Sequence, residues 1–342
     1  MTATAGATHP QQKKLRRPDS SAPLAVLYAP IQAELAAVEA ILRRELTSSD
    51  PFVDELARHG CRLGGKRLRP ALLLLSAKAV SGVTPDHLTL AAVVEMIHTA
   101  TLVHDDVLDE ATLRRHHATV NARWDNEASV LLGDYLFTHA FYLASTTEST
   151  FACRTIGRAT NITCEGEMRQ LAASGRLDVS EDRYLAIIEA KTAELCACAC
   201  RLGAHVASAE PAVEEALADY GRSLGVAFQI TDDLLDLVGT ESATGKSLGT
   251  DLEKRKATLP VIHLLNHIGV DSRAAVDRIL HGGNNQTADL LPWLERYGSI
   301  AYAREKGVQF AQRAVQRLEM LPPSDARDAL SWLAQFVVDR GQ

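Results

Sequence analysis

From about residue 24 onward, apolar positions recur every three to four residues. Leu24, Tyr28, Ile31, Leu35, Val38 and Leu42 form the first such stripe, the spacing of one face of a helix. Comparable stripes run through roughly 68–80, 86–109, 128–146, 151–173, 181–207, 211–238, 257–268, 272–281, 286–295, 298–320 and 324–339. The breaks carry turn residues: Ser81-Gly82, Ser174-Gly175, Glu210-Pro211, Gly282-Gly283-Asn284-Asn285 and Pro322-Pro323. Neither a βαβ alternation nor a repeat with the period of a solenoid is visible. The pattern predicts one all-α domain over residues 23–342, with long helices through its centre. Residues 1–22 are polar, with the basic run Lys13-Lys14-Leu15-Arg16-Arg17 and no acidic residue before Asp19. They read as a disordered tail. An organellar transit peptide is the alternative, with suitable Arg and Ser/Thr content but few apolar residues. No apolar run approaches the roughly 18 residues of a membrane span.

Composition narrows the picture. Hydrophobic residues make up 46% of the 342-residue chain but aromatics only 5%. The apolar share lies in Ala and Leu, which favour helix over sheet. The net charge of −7 argues against a non-specific nucleic-acid binder, which needs a basic surface. Of the six cysteines, Cys196, Cys198 and Cys200 alternate with Ala inside a helical stretch. Residues i and i+2 of a helix point about 200° apart, so these three cannot face one metal. They read as small core residues, and with Cys61, Cys153 and Cys164 as reduced thiols of a cytoplasmic protein.

Two acidic clusters carry the chemistry. His104-Asp105-Asp106-Val107-Leu108-Asp109 and Thr231-Asp232-Asp233-Leu234-Leu235-Asp236 both read D-D-x-x-D, and both close strongly apolar helices. The first and last Asp of each lie about 40° apart, one turn along the axis. Carboxylates that close repel unless a cation sits between them, and hard oxygen ligands with room for water suit Mg²⁺. Basic residues supply the complement. Gly64-Gly65-Lys66-Arg67-Leu68-Arg69-Pro70 leads into a helix, Arg114-Arg115 follows the first cluster, Lys191-Thr192 interrupts an Ala/Leu-rich stretch, and Lys246 and Lys256 flank Asp251. Two carboxylate clusters and this set fit two diphosphates, one held through Mg²⁺ and one by direct salt bridges. No Ser/His/Asp or Cys/His arrangement for covalent catalysis is present.

These stretches resemble the trans-isoprenyl diphosphate synthases, the polyprenyl synthetase family. The resemblance rests on GGKRLRP (64–70), EMIHTATLVHDDVLDEATLRR (95–115), GDYLF (133–137), GEMRQL (166–171), KT (191–192), FQITDDLLD (228–236) and GKSLGTDLEKRKATLP (245–260), in family order. It implies an all-α fold around a deep cavity and a homodimer. It also implies a reaction in which an allylic diphosphate ionises and is attacked by isopentenyl diphosphate. Asp105, Asp106, Asp109, Asp232, Asp233 and Asp236 would bind about three Mg²⁺. Arg114, Lys191, Lys246 and Lys256 would contact the allylic diphosphate, and Lys66, Arg69, His98 and Arg115 the isopentenyl diphosphate. Thr192 and Gln229 would line the reacting centre. Peripheral membrane association at product release is a further expectation. The sequence departs from the family at His116 and Arg255, where Gly is frequent, which puts local loop geometry in doubt.

The growing chain is expected to run down the first Asp helix, past Ala100 and Thr101 and then Ile97. Short-chain members often carry an aromatic at the position of Ala100. A small residue there predicts a tunnel open to a long product, roughly 30 to 50 carbons, unless a side chain of a neighbouring helix closes it deeper. Shorter-chain synthesis, or work as the catalytic subunit of a heteromer, are the alternatives. A class I terpene cyclase would lack the GGKRLRP site, and a regulatory subunit tends to lose an Asp cluster. A helical metal scaffold would not need the Lys/Arg set.

Overall fold

The computed structural model describes residues 24–62, 65–239, 249–254, 256–282 and 286–340. The expected tail and Lys246 lie outside them. Fourteen longer helices among the described residues account for the fold. They are α1 (Gln32–Glu45), α2 (Pro51–Arg62), α3 (Leu68–Val80), α4 (Pro85–Leu108), α5 (Asn126–Ser145), α6 (Thr150–Ala173), α7 (Glu181–Ile188), α8 (Glu194–Val206), α9 (Pro211–Val238), α10 (Leu259–His267), α11 (Val270–Leu280), α12 (Gln286–Arg296), α13 (Ser299–Arg317) and α14 (Asp325–Asp339). The protein is all-α, as its periodicity predicts.

Three elements are not read from the stripes. Helix α2 buries Leu56 and Ala57 on one short face while Phe52 is exposed. Gly60 sits mid-helix because Leu132 packs where its Cβ would be. Strands β1 (Leu113–Arg114) and β2 (His117–Ala118) form a two-residue hairpin. A π-helical segment, Glu189–Ala193, joins α7 to α8.

Helix α3 is buried all round: Leu72, Leu73, Leu74 and Leu75 are each fully covered, by α8, α4 and α14. Such coverage needs short interaxial distances, and small residues supply them. A Cβ on Gly203 would meet the Leu73 carbonyl oxygen at 2.2 Å, and one on Gly221 the Cys196 oxygen at 2.5 Å. Cys196, Cys198 and Cys200 are all buried in this seam, and all six thiols are free. Burial pushes the Cys196, Cys198 and Cys200 thiols up, so they stay protonated and inert. The 28-residue α9 ties the apolar clusters together. Leu217, Tyr220, Leu224 and Ala227 join the main core, Ile230 and Leu234 a second core with Tyr184 and Leu259, and Leu237 a third with Leu264 and Leu290. The acidic ends of α4 and α9 project from this packing. Among the described residues, no helix is long and apolar enough to cross a membrane.

Candidate active site

Both aspartate clusters sit at helix C-termini, where the backbone dipole is already negative and carboxylates are unfavourable. Something positive must offset that cost. At the end of α4, Lys191 Nζ lies 3.7 Å from Asp105, and Lys254 and Lys256 lie 3.1 and 3.3 Å from Asp109. Burial pushes the Asp109 carboxyl up, but the two lysines outweigh it and hold the group below the usual carboxylate range. Asp106 faces elsewhere. It is 1% exposed, and Arg114 Nε donates to its Oδ1 at 2.7 Å. Its Oδ2 is buried without a hydrogen-bond partner. Burial therefore wins over Arg114 and raises this carboxyl.

The end of α9 divides the same way. Asp232 is half-exposed, 3.6 Å from Arg340 Nη1. Asp236 Oδ2 accepts from the backbone N–H of Asp251 at 3.0 Å. Asp233 is buried, and both its oxygens are engaged. Gln229 Nε2 donates to Oδ1 at 2.8 Å and the Tyr184 hydroxyl to Oδ2 at 2.6 Å. Thr192 Oγ1 in turn donates to Gln229 Oε1 at 2.8 Å. Burial, then the nearby Asp251 charge, push the Asp233 carboxyl up to about 8.

Thus the middle carboxylate of each motif is buried, while the first and last are partly exposed. The two ends are bridged. Lys256 reaches Asp109 on one side and lies 3.9 Å from Asp251 on the other. Asp251 is bonded to Asp236, while Lys191 and Thr192 link Asp105 to the Gln229–Asp233 network. A cavity beside the α9 end is walled by Lys191, Gln229, Asp233, Asp251, Lys256 and Tyr184, with apolar Val179, Ile187 and Ile188. The chemistry of the donors fits Mg²⁺: only carboxylate oxygens, already drawing lysine ammonium groups. Among the described residues no three acidic, His or Cys side chains converge as a metal cage. That matches an ion held by one or two carboxylates plus substrate phosphate oxygens and water.

The π segment explains how Lys191 and Thr192 reach different partners. Its wider turn rotates consecutive side chains relative to an α-helix, and such bulges recur at functional sites. A Cβ on Gly166 of α6 would lie 2.6 Å from the Lys191 backbone nitrogen, so α6 approaches the bulge only because residue 166 is Gly. Lys191 also pairs with Glu167 at 2.8 Å. Burial pulls the ammonium down, but Asp105 and Glu167 hold it above its ordinary value.

The second anion region lies at the start of α3. Arg67 takes a left-handed conformation, φ 47°, as the residue before that helix. It is pinned by Glu39 at 2.5 Å and Glu95 at 2.7 Å. Lys66 is exposed and its carbonyl accepts from the Tyr28 hydroxyl. Arg69 Nε is buried without a hydrogen-bond partner. A Cβ on Gly65 would strike the Arg115 guanidinium at 2.5 Å. Arg67, Glu95, His98, Thr99 and Arg115 line a small cleft here. Burial, and the charges of Arg69, Arg115, Arg114 and Arg67, hold the half-buried His98 ring well below its ordinary pKa. It is therefore neutral, able to donate one hydrogen bond to an anion.

The departure at His116 has a structural meaning. Arg115 and His116 occupy the hairpin turn with φ of 50° and 66°. Two positive φ values in a two-residue loop make a type I′ turn, where Gly is favoured. Arg255 lies outside the described residues.

Expected chain-length residues sit in the core. Ala100 and Ile97 are 0% and 1% exposed, and Thr101 donates to the His98 carbonyl. Neither of the two clefts above has any of the three in its wall. Sequence reasoning missed Tyr184, Glu167, Lys254 and Arg340. Glu167 lies inside the GEMRQL stretch and Lys254 inside a basic run, so both left a trace. Tyr184 and Arg340 carry no local signal. Arg340 comes from α14's end to lie over the Phe228 ring at 4.6 Å, its Nε and Nη2 without hydrogen-bond partners.

Comparison with known proteins gives the family. The polyprenyl synthetase family model matches residues 50–295. Octaprenyl diphosphate synthase of Haemophilus influenzae is 40% identical over 298 residues, 86% of this chain and 91% of that protein. The crystal structure of a decaprenyl diphosphate synthase from Rhodobacter capsulatus superposes with a TM-score of 0.88 at 38% identity, covering 94% of this chain and 100% of that one. A polyprenyl synthase from Caulobacter crescentus, solved with calcium and isoprenyl diphosphate, gives 0.89 at 36% identity, with 94% and 99% covered. With paired acid-ended helices, a separate guanidinium cleft and matches over most of its length, the chain belongs to the polyprenyl synthetase family.

Proposed function

We propose that this protein condenses isopentenyl diphosphate with an allylic diphosphate, releasing diphosphate and building a long all-trans polyprenyl diphosphate of roughly 30 to 50 carbons. The observation that carries the reading is the bridging of two acid-ended helices by Lys191, Lys256 and Asp251 beside a cavity, with a second, guanidinium-lined cleft at the start of α3. One diphosphate accounts for the first and another for the second. The names of the similar proteins support a long product.

Asp105 and Asp109 from α4, and Asp232 and Asp236 from α9, would hold about three Mg²⁺ in contact with the allylic diphosphate. Asp106 and Asp233 orient these ends through Arg114 and through Gln229 and Tyr184. Bound Mg²⁺ supplies Lewis-acid stabilisation of the negative charge that grows on the leaving diphosphate. Lys191 and Lys256, with Arg114 and Lys246, add to it from the protein. Such preorganised charge acts where the transition state is most negative. Lys66, Arg69, Arg115 and neutral His98 hold isopentenyl diphosphate so that its double bond faces the allylic carbon. Thr192 and Gln229 would line the reacting centre, where their oxygens can face the developing cation. Val179, Ile187 and Ile188 keep that wall dry, so water does not quench it. The departing diphosphate takes the final proton.

The exposed apolar side chains Val130, Leu131, Phe141 and Tyr142 of α5 support a homodimer through that helix. The free thiols support a cytoplasmic site, and peripheral membrane contact serves release of an apolar product. The test is diphosphate release from purified chain, Mg²⁺, isopentenyl diphosphate and an allylic starter, followed by product chromatography. Ala100→Phe is expected to shorten the product, and an unchanged distribution would sink the proposed tunnel. No release from the chain alone would point to a required partner subunit.

A further inference from the structure

Lys191 has two carboxylates to choose from, and their distances are unequal. Its Nζ lies 2.8 and 2.9 Å from the two oxygens of Glu167, but 3.7 Å from Asp105. All three side chains are about four-fifths covered, so screening by solvent is weak; both carboxylates attract the ammonium, but only Glu167 is close enough to hydrogen-bond it. The arrangement is built rather than incidental. Glu167 follows Gly166, the residue that lets α6 touch the π segment bearing Lys191. The backbone contact at 166 and the ion pair at 167 therefore brace the same bulge.

We propose that Glu167 is a positioning residue that draws Lys191 aside and keeps Asp105 open to the divalent cation. The inference rests on the metal reading of Asp105 above. With Glu167 neutral, the nearest negative charge to Lys191 is Asp105, at 3.7 Å. The ammonium then closes on that carboxylate and competes with the metal for it. Lys191 also loses its support for reaching toward a diphosphate.

The experiment is Mn²⁺ titration by electron paramagnetic resonance, in the presence of inorganic diphosphate, on four forms of the full chain. These are the wild type, Glu167→Gln, Lys191→Met and the double variant. Glu167→Gln is expected to weaken Mn²⁺ binding about ten-fold, the range of residues that orient a metal ligand. In the Lys191→Met background the same change should cost less than about two-fold, because no competing ammonium remains. Glu167→Asp should recover most of the affinity. Equal losses in both backgrounds would show a direct charge effect of Glu167 and overturn the proposal, as would unchanged Mn²⁺ binding by Glu167→Gln. Wild-type binding that Asp105→Asn leaves intact would overturn the metal reading itself, and this inference with it. Thermal unfolding of each variant separates these results from loss of fold.

Discussion

Two helices end in the same D-D-x-x-D motif, yet their middle carboxylates live in different surroundings. Asp106 is held by a cation, with Arg114 at 2.7 Å on one oxygen and nothing bonded to the other. Asp233 is held by neutral donors, Gln229 and Tyr184, one on each oxygen. The flanking carboxylates differ likewise. Lysines attend Asp105 and Asp109, while a backbone N–H and a distant guanidinium attend Asp236 and Asp232. Identical motifs thus serve one end poised by charge and another poised by hydrogen bonds. The α4 end should respond to loss of charge, the α9 end to loss of donors and to pH.

The largest effect expected is on turnover. Asp105→Asn removes an outer carboxylate and should lower kcat/KM on the order of 10²–10³-fold. Asp233→Asn alters a supporting group and should cost about 10–100-fold. Steady-state assays at saturating Mg²⁺ compare them, and equal losses would break the division between the outer carboxylates and the buried middle ones. Next in size is stability. Asp106→Ala strands the buried Arg114 charge and should cost about 3–5 kcal/mol. Tyr184→Phe removes one donor from Asp233 and should cost about 1–3 kcal/mol. Denaturant unfolding ranks the two.

A smaller effect separates them by pH in protein free of divalent ions. An unfolded Asp titrates near 4, whereas folded Asp233 titrates at about 8. Between those values the folded state binds the extra proton, so stability falls as pH rises from about 4 to about 8. Asp233→Asn should flatten that slope. Asp106→Asn should flatten it less, because Arg114 offsets part of the burial effect there. Melting temperatures at pH 5 and 8 decide the matter. The smallest effect lies in the hairpin that delivers Arg114. His116 holds φ 66°, so His116→Gly should stabilise the fold by about 0.5–1 kcal/mol, net of the added chain entropy. Failure to do so would mean that the turn is not strained.

Much of this site was legible in one dimension. The helical stripes, both D-D-x-x-D motifs, the GGKRLRP loop and the Lys191-Thr192 pair rest on short-range spacing, and the structure places them as elements and ends of elements. Ala and Leu in place of aromatics pointed to helix over sheet, and the structure packs those helices closely where Gly203 and Gly221 admit neighbouring backbone. Three things stayed hidden. Helix α2 is short, and its apolar positions Val53, Leu56, Ala57 and Cys61 span only about two turns, so it was not among the stripes. The π segment differs from an α-helix by one residue per turn, below what a stripe of apolar residues resolves. Partners such as Tyr184 for Asp233, Glu167 for Lys191 and Arg340 for Asp232 lie 49, 24 and 108 residues apart.

The sequence by itself determined which chemical groups are available and which helix ends carry them, because helix period and motif spacing are properties of neighbouring residues. Only the tertiary structure decided which carboxylate of each motif is buried and which stay partly exposed. That choice depends on burial and on donors brought in from other helices, and no local pattern encodes either.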